Sequence, residues 1–405
     1  MLSVVSNPRL HFCFEMLHAI LIVMIQSLRY ITNSRLPTER AHGTQIVKMC
    51  EAFSGMGMPT TLIASTKKST IDTRDIFDYY GVRKSFDVKR LWSTDILGLT
   101  YAFGKAAYVI DLITFIFSLK INSTIQAGDI LYARDPMLLL PFSPKKYTLC
   151  LEIHDLPEKI DTRFISRVNR AHRIIVLNDI IKGELVEKGI PQEKIISSGD
   201  AVDLDEFNIS LSKLEARHSL GIPSPSKIVM YTGHLYAWKG AYTLAETAKQ
   251  FGVEVIFIFI GGIGSELEQF KSTYGTVSNI IILPYQKREV IPMYLKAADV
   301  LVIPNSAKTA ISSKYTSPLK LFEYMAARRP IVVSDLPSMR QVLNEKNCFF
   351  AEADSDESFA EAIRIALNNS RLSDDKSTQA FRDVQLMTWQ ERAREIIDFI
   401  RSNTY

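Results

Sequence analysis

The strongest chemical signal in this sequence is a lysine at the start of a predicted helix. Ser317 and Pro318 suit an N-cap and a first helical position, so Lys320 falls in the first helical turn. The helix dipole disfavours a cation there, but the conflict disappears if an anion binds where the free backbone N–H groups and the amine converge. Glu323 lies one turn further along the same face and could accept hydrogen bonds from a diol such as a nucleotide ribose. An ordinary surface Glu–Lys pair explains the same pattern equally well.

Two other polar residues follow predicted strands. The segment 231–240 places Lys239 and Gly240 between a strand and the next helix, at the edge of a parallel sheet where such sheets bind ligands. His154 follows another strand and is predicted to face a cleft between two domains. Lys239 could instead be a solvated lysine, which is the favoured interpretation of a lone Lys-Gly pair. His154 could instead be a structural histidine whose hydrogen bonds are made within the fold.

Two weaker motifs are interpreted as turns. Gly261–Gly264 resembles a phosphate-binding loop, but GGxG after a strand is a weak signal. Asp203 and Asp205 have the DxD form of a metal site, yet they lie beside a predicted domain linker. Because the sequence contains no convincing metal motif, neither a metal nor another cofactor is predicted.

Composition limits the class of protein. The 405 residues are too many for one core and suit two domains, and a net charge of +4 is too small to argue for a nucleic-acid partner. The four cysteines form no CxxC pair, so we expect no disulfide framework and no zinc site, and a reducing, cytoplasmic compartment is the default. Residues 10–25 are apolar but interrupted by Glu15 and His18. This pattern favours a non-structural extension, or an over-called start codon, over a signal anchor.

Alternating strand-like and helix-like segments predict an α/β architecture with parallel sheets. We expect an N-terminal extension over residues 1–28, Rossmann-like domains over 29–207 and 208–385, and a helix within 386–405 that packs back across the domains. The predicted strands are Arg29–Asn33, Pro59–Ser65, Asp129–Ala133, Tyr147–Ile153, Arg173–Leu177, Lys227–Gly233, Val253–Ile260, Ile280–Leu283, Val300–Pro304 and Pro330–Ser334. The strands fall into two successive groups that alternate with helices, which predicts two doubly wound domains facing a cleft.

The stretch Leu97–Leu119 is almost entirely apolar. One narrow stripe at the helical period contains Thr100, Gly104, Asp111, Thr114 and Ser118. A helix with so narrow a polar face buries most of its circumference, so we interpret the stretch as one or two helices packed on the N-terminal sheet. A peripheral contact with the inner face of a membrane is the alternative.

Taken together, these residues resemble the retaining glycosyltransferases of family four, which have the GT-B fold. The likeness covers the chain from about Arg29 onward and is most specific in the C-terminal half. That half contains YTGHLYAWKG, IGGIGSELEQF, LPYQKREVIPMYLKAADVLVIP and SPLKLFEYMAARRPIVVSDLPS. In the N-terminal half, NSRLPTERAHGTQIVKMCEAF and LEIHDLP resemble the glycine loop and the histidine segment of the family.

The resemblance implies roles for individual residues. Gly43 would let the first domain approach the donor pyrophosphate, which Lys239 would neutralise. Glu323 matches the second Glu of the E-x7-E motif and would bind the donor ribose, while His154 would reach the reacting sugar. The remaining donor-binding residues would be Ser317, Leu319 and Lys320, with Lys320 adding a phosphate contact.

Two positions depart from the pattern of the family. Tyr315 stands where the first Glu of E-x7-E is expected, and a phenol cannot accept sugar hydroxyls as a carboxylate does. His234 stands where the family has an arginine, so the protein lacks one permanent positive charge that would bind the pyrophosphate. The identity of the donor sugar is therefore open, and Lys320 would compensate for the arginine.

The resemblance implies transfer of a sugar from a nucleoside diphosphate sugar to a hydroxyl of a glycan or lipid-linked acceptor, with retained configuration. The setting it implies is glycan or cell-envelope polysaccharide synthesis. Lysines and a helix N-terminus would stabilise the leaving diphosphate, so no divalent metal would be needed. A sugar-nucleotide epimerase of the same fold and a non-catalytic, membrane-associated protein that binds sugar nucleotides are the alternatives.

Overall fold

The computed structural model describes residues 26–69, 71, 75–95, 97–122, 124–222 and 225–402. The prediction of an N-terminal extension falls almost entirely outside these residues. The chain divides into two compact units, and the limits predicted for its domains remain a prediction. The first unit comprises Met1–Glu152 and Ser166–Ile174, and the second comprises Ile153–Ile165 and Ile175–Tyr405.

The described part of the N-terminal half forms a seven-stranded sheet. Its strands are β1 (Leu28–Thr32), β2 (Thr60–Ser65), β3 (Asp87–Leu91), β4 (Ile130–Ala133), β5 (Thr148–Ile153), β6 (Arg173–Val176) and β7 (Ile195–Ser197), in the spatial order β3-β2-β1-β4-β5-β6-β7. The helices between them are α1 (Ala41–Gly55), α2 (Ile76–Tyr80), α3 (Leu97–Lys120), α4 (Thr162–Asn169) and α5 (Asp179–Glu187). The pairs of β1 with β2 and β4 are parallel, as βαβ connections require.

The described part of the C-terminal half forms a six-stranded, wholly parallel sheet. Its strands are β8 (Lys227–Thr232), β9 (Val255–Ile260), β10 (Ile280–Leu283), β11 (Val300–Ile303), β12 (Ile331–Ser334) and β13 (Phe349–Ala351), in the order β10-β9-β8-β11-β12-β13. The helices are α6 (Leu204–Phe207), α7 (Lys213–Leu220), α8 (Ala241–Ala248), α9 (Ser265–Tyr274), α10 (Ile291–Ala297), α11 (Leu319–Ala326), α12 (Asp356–Asn368), α13 (Ser370–Val384) and α14 (Trp389–Arg401). The order reverses between β8 and β11, which makes their carboxyl ends the place where such a sheet binds ligands.

The ten predicted strands are all present, and their ends differ from the prediction by at most two residues. Three strands were missed. Three of the five residues of β3 are charged and none of the five is buried, so it lacks the apolar pattern of a buried strand. β7 and β13 contain only three residues each, too few for a periodic signal.

Helix α3 confirms the prediction of one or two helices packed on the N-terminal sheet, since it contacts β3, and corrects only how much of its circumference is buried. It bends at Gly104, where φ is 32°, and the side chains of Asp111 and Ser118 in the polar stripe are buried. Asp111 pairs with Lys67 and accepts a hydrogen bond from Asn33, and the Ser118 hydroxyl donates to a backbone carbonyl at 2.7 Å. From Tyr108 onward the opposite face is exposed, so this part of the helix does not bury most of its circumference. Among the described residues, no helix is both long and apolar enough to cross a membrane.

Candidate functional site

Helix α11 begins without a side-chain cap. The prediction that Ser317 is the N-cap is wrong, because Pro318 takes that position with φ −74° and ψ 127°. The Ser317 hydroxyl instead accepts a hydrogen bond from the backbone N–H of Asp200 at 3.1 Å. Proline has no side-chain acceptor, so Pro318 cannot cap the first-turn N–H groups, which start at Leu319; that of Leu321 donates to the Pro318 carbonyl at 2.8 Å.

The amine of Lys320 is buried beside the carboxyl end of β8. Lys320 is 8% exposed, and its Nζ lies 3.9 Å from the ring centre of Tyr231. Within the described residues this Nζ has no hydrogen-bond partner. Burial lowers the pKa of Lys320 well below its ordinary value; the charge of Lys239 lowers it further, and Glu323 opposes the shift. A buried, unpaired amine is unfavourable, and an anion would satisfy it.

Lys239 lies in the loop after β8. It ends a short 3-10 turn, and Gly240 follows with φ 74°, where a Cβ would clash with the carbonyl of Pro304. Burial lowers the pKa of Lys239 to about 8, and Glu266 acts in the opposite direction. The two lysines are close enough for Lys239 to lower the pKa of Lys320. The structure therefore brings two amines to one edge of the sheet, next to the uncapped helix.

Glu323 is held by an arginine that sequence reasoning did not single out. Glu323 is 9% exposed, and its Oε1 accepts a hydrogen bond from Nη1 of Arg288 at 3.0 Å. Burial raises the pKa of Glu323, and Arg288 opposes this rise. Arg288 also pairs with Glu206 of α6 at 2.8 Å. In the sequence Arg288 lies among charged neighbours, a pattern typical of a solvated surface, and only its place after β10 pointed to the sheet edge.

Tyr315, which occupies the position where the family has a glutamate, is hydrogen-bonded to another glutamate. Its hydroxyl donates to Oε2 of Glu184 in α5 at 3.0 Å. Burial, followed by this hydrogen bond, raises the pKa of Tyr315 to about 12. Asn178 donates to the backbone carbonyl of Tyr315 at 3.3 Å and so fixes the segment. Because the phenol gives its proton to Glu184, its oxygen can act only as an acceptor toward other groups.

His234, the second departure, binds a carboxylate. Its Nδ1 lies 2.7 Å from Oε1 of Glu266, and its ring stacks on Tyr236 with 4.9 Å between ring centres. Glu266 also accepts a hydrogen bond from the backbone N–H of Ile263 at 3.1 Å. The loop after β9 is a close-packed turn, since a Cβ at Gly261 would clash with the backbone before His234.

The remaining candidates lie in different places. Gly43 is in the first turn of α1, not in the preceding loop, and a Cβ there would clash with Tyr80 and Thr38 of the first unit. Its role toward the donor pyrophosphate remains a prediction. His154 follows β5 and is half-buried, and its role remains a prediction.

Asp203 caps α6 by accepting a hydrogen bond from the N–H of Asp205 at 3.2 Å. Within the described residues, no group of three His, Cys, Asp or Glu side chains is arranged to hold a metal ion.

Comparison with known proteins identifies the part of the chain that holds these residues. Residues 226–369 match the family described as glycosyl transferases group 1. The chain carries a group 1 glycosyltransferase domain. This group 1 domain includes Lys239, Arg288, Lys320 and Glu323.

Curated relatives match the chain in part. An uncharacterised glycosyltransferase of Methanocaldococcus jannaschii is 22% identical over 236 residues, which are 56% of this chain and 59% of that protein. A D-inositol 3-phosphate glycosyltransferase of Xylanimonas cellulosilytica is 22% identical over 209 residues, or 49% of this chain and 48% of that protein. The chain therefore spans about half to three fifths of the length of these relatives.

Solved structures match the fold over nearly the whole chain. Sucrose-phosphate synthase from Thermosynechococcus elongatus has a TM-score of 0.74 at 16% identity and covers 93% of this chain and 98% of its own. Anabaena HepE in complex with UDP and glucose has a TM-score of 0.71 at 15% identity and covers 93% and 100%. The GT-B fold predicted from the sequence is confirmed: the group 1 domain and the N-terminal half each contain a Rossmann-like sheet.

Proposed function

We propose that the protein transfers a sugar from a nucleoside diphosphate sugar to a hydroxyl of a glycan or lipid-linked acceptor. The observation that carries this proposal is the buried amine of Lys320, which has no hydrogen-bond partner among the described residues and lies near Lys239 and the uncapped start of α11. Two amines and the N–H groups at the start of a helix suit the charges of a diphosphate. The group 1 match, and the UDP bound to HepE, support this choice of ligand.

Glu323 suits the nucleoside part of the same ligand. Its Oε1 is bound by Arg288, and the carboxylate can accept hydrogen bonds from the two hydroxyls of a ribose. Glu323 and Lys320 are three residues apart on α11, so a ribose on one and a phosphate on the other would be neighbours. We propose that these two side chains bind adjacent parts of one nucleotide.

In the proposed reaction, the bond between the sugar C1 and the diphosphate oxygen breaks, and a bond from C1 to the acceptor oxygen forms with retained configuration. The acceptor proton leaves with the diphosphate. Catalysis would consist of positioning and of stabilising the charge on the leaving group, with His154 contacting the reacting sugar. Because Lys239 and Lys320 supply positive charge, we propose that the transfer needs no divalent metal and no other cofactor. Glycan or cell-envelope polysaccharide synthesis is the proposed setting.

Turnover measurements test the proposal. The protein would be incubated with UDP-, GDP- and ADP-sugars, with and without glycan and lipid-linked acceptors, in saturating EDTA. We expect a free nucleoside diphosphate and a glycosylated acceptor whose new linkage keeps the anomeric configuration of the donor. An isomerised sugar nucleotide formed without acceptor would identify an epimerase instead. Loss of activity in EDTA with recovery in Mn²⁺ would contradict metal independence.

A further inference from the structure

Helix α3 exposes apolar side chains on a face that is usually polar. Its interior side holds the polar stripe together with apolar residues such as Phe115. Its outer side is apolar as well. We call the outer face the set of Val109, Ile110, Ile113, Phe117 and Ile121, which are 48%, 49%, 58%, 61% and 70% exposed. An exposed helical face is normally polar, whereas the described residues leave this apolar face of the helix uncovered.

The outer face is continuous. Ile110, Ile113 and Phe117 follow each other at spacings of three or four residues, which align them on one side of the helix. Ile121 comes directly after the last helical residue, and its N–H still donates to the carbonyl of Phe117 at 3.3 Å. Other large exposed apolar residues, such as Leu214, Val253 and Leu386, have no such neighbours in sequence. Single exposed apolar residues are ordinary, whereas a contiguous patch marks an interaction surface.

Aromatic and basic residues accompany the outer face. Trp92 is 57% exposed, and its carbonyl accepts a hydrogen bond from Ser118 of α3. Tyr108 is 53% exposed and donates to Asp135 at 3.0 Å. Lys120 is exposed at the end of the helix. Trp, Tyr and Lys side chains have an apolar body and a polar tip, a combination that suits the boundary between lipid tails and headgroups.

The charge of the chain is divided unequally. The first unit, which contains α3, has 20 Lys and Arg residues against 12 Asp and Glu, a net charge of +8. The second unit has 28 against 32, a net charge of −4. Contact between the outer faces of two copies would bring two basic units together, so the charge disfavours a second copy as the partner. It favours an anionic surface.

We propose that the outer face of α3 docks the protein on an anionic lipid bilayer. The apolar side chains would enter the boundary between headgroups and tails, and the basic charge of the first unit would be attracted to the anionic lipids. The helix lies on the bilayer and does not cross it. Docking is independent of the proposed sugar transfer, so each of the two proposals can fail without the other.

Vesicle sedimentation tests the docking. The full chain would be mixed with vesicles of phosphatidylcholine alone or of phosphatidylcholine with phosphatidylglycerol. We expect binding to the mixed vesicles, weakened by salt because surface charges are screened. The variant Ile113→Ser/Phe117→Ser/Ile121→Ser should bind roughly a hundredfold more weakly, since three large apolar side chains are removed from the contact. The matched control, Leu214→Ser/Val253→Ser/Leu386→Ser, changes exposed apolar residues of the second unit and should bind as the wild type does.

Four outcomes would overturn the proposal. The first is a wild type that ignores the mixed vesicles, and the second is an outer-face variant that binds them as tightly as the control. The third is an outer-face variant that melts several degrees below the control, because the face would then be covered by the protein itself. The fourth is a wild-type dimer in sedimentation equilibrium that only the outer-face variant dissociates, because the partner would then be a second copy.

Discussion

Arg288 joins two carboxylates that lie far apart in the sequence. Its Nη1 donates to Oε1 of Glu323 at 3.0 Å, and its Nε donates to Oε2 of Glu206 at 2.9 Å. Glu323 is the proposed ribose ligand, and burial alone would favour its protonated form. Arg288 opposes that tendency, so we propose that it positions Glu323 and keeps it ionised without touching the nucleotide.

Replacing Arg288 should therefore separate ribose binding from phosphate binding. In Arg288→Met the pKa of Glu323 rises, so affinity for UDP should fall roughly tenfold near neutral pH and recover as the pH is raised. Affinity for inorganic pyrophosphate, which has no ribose, should barely change. Calorimetric titrations with both ligands across pH provide the measurement. Glu206→Gln keeps the pair of Arg288 with Glu323 and serves as the control. An equal loss for both ligands would show that Arg288 serves the phosphates or the fold.

Replacing Lys320 should not lower the melting temperature of the ligand-free protein, but it should reduce the rise in melting temperature that UDP causes. Without ligand, Lys320→Met should melt at the wild-type temperature or higher, because the change removes a buried amine that the described part of the chain leaves without a hydrogen-bond partner, and a side chain of similar length remains. With UDP, the variant should lose most of the thermal upshift. A charge-assisted bond contributes ~1.5–3 kcal/mol, or roughly ten- to a hundredfold in affinity. Melting curves with and without UDP, GDP and ADP measure both effects.

Lys346→Met is the matched control for this comparison, since Lys346 is an exposed lysine of the same unit. It should change neither the melting temperature nor the upshift. A strongly lowered melting temperature of ligand-free Lys320→Met would make Lys320 a structural residue. An unchanged upshift would place the phosphates elsewhere.

Lys239 should make nucleotide binding depend on pH. Burial lowers the pKa of Lys239 to about 8 in the free protein, and a bound diphosphate favours the charged amine and raises that pKa. The contribution of Lys239 is therefore fully present below about pH 8 and is lost as the pH rises through the higher pKa of the bound state. Titrations with UDP at about pH 8, in buffers of different ionisation enthalpy, should reveal proton uptake. Lys239→Met should bind UDP more weakly and with less proton uptake; unchanged uptake would assign the proton to another group.

Tyr315 should act on the sugar and not on the nucleotide. Its hydroxyl donates a hydrogen bond to Glu184. Its oxygen can therefore accept a hydrogen bond from a hydroxyl of the donor sugar. Tyr315→Phe keeps the ring and its packing, so the fold should persist. We expect kcat with the preferred sugar nucleotide to fall roughly tenfold, while affinity for UDP stays unchanged. Wild-type kcat in Tyr315→Phe would remove this residue from sugar recognition.

His154→Ala tests the predicted contact with the reacting sugar. A group that acts at the reacting centre contributes to kcat, so the variant should lose roughly a hundredfold or more in turnover. Its affinity for the nucleoside diphosphate should stay near that of the wild type. Steady-state kinetics, paired with UDP titration of the same preparation, make the comparison. A folded variant with full kcat would return His154 to a purely structural role.

The sequence by itself determined the elements and their order. Apolar runs of strand length gave the position of β8 to within one residue, because a buried parallel strand needs a continuous apolar segment. Lys320 was also identified from the sequence, because its conflict with the helix dipole is local and involves only the residues of one turn. The ends of elements are less well defined, so Ser317 was assigned a cap that Pro318 occupies.

Only the tertiary structure decided which distant residues meet. Arg288 and Glu323 are 35 positions apart, and Glu184 and Tyr315 are 131 apart, and no periodicity extends over such distances. Periodicity also showed that α3 has a polar stripe, but a stripe specifies a face without stating what that face contacts. Packing buried Asp111 and Ser118 of this stripe, which bond to Asn33 and to the Trp92 carbonyl, and left apolar side chains such as Ile113 and Phe117 exposed. The direction in which a helical face points depends on the neighbours that folding brings to it, and these are not local properties of the helix.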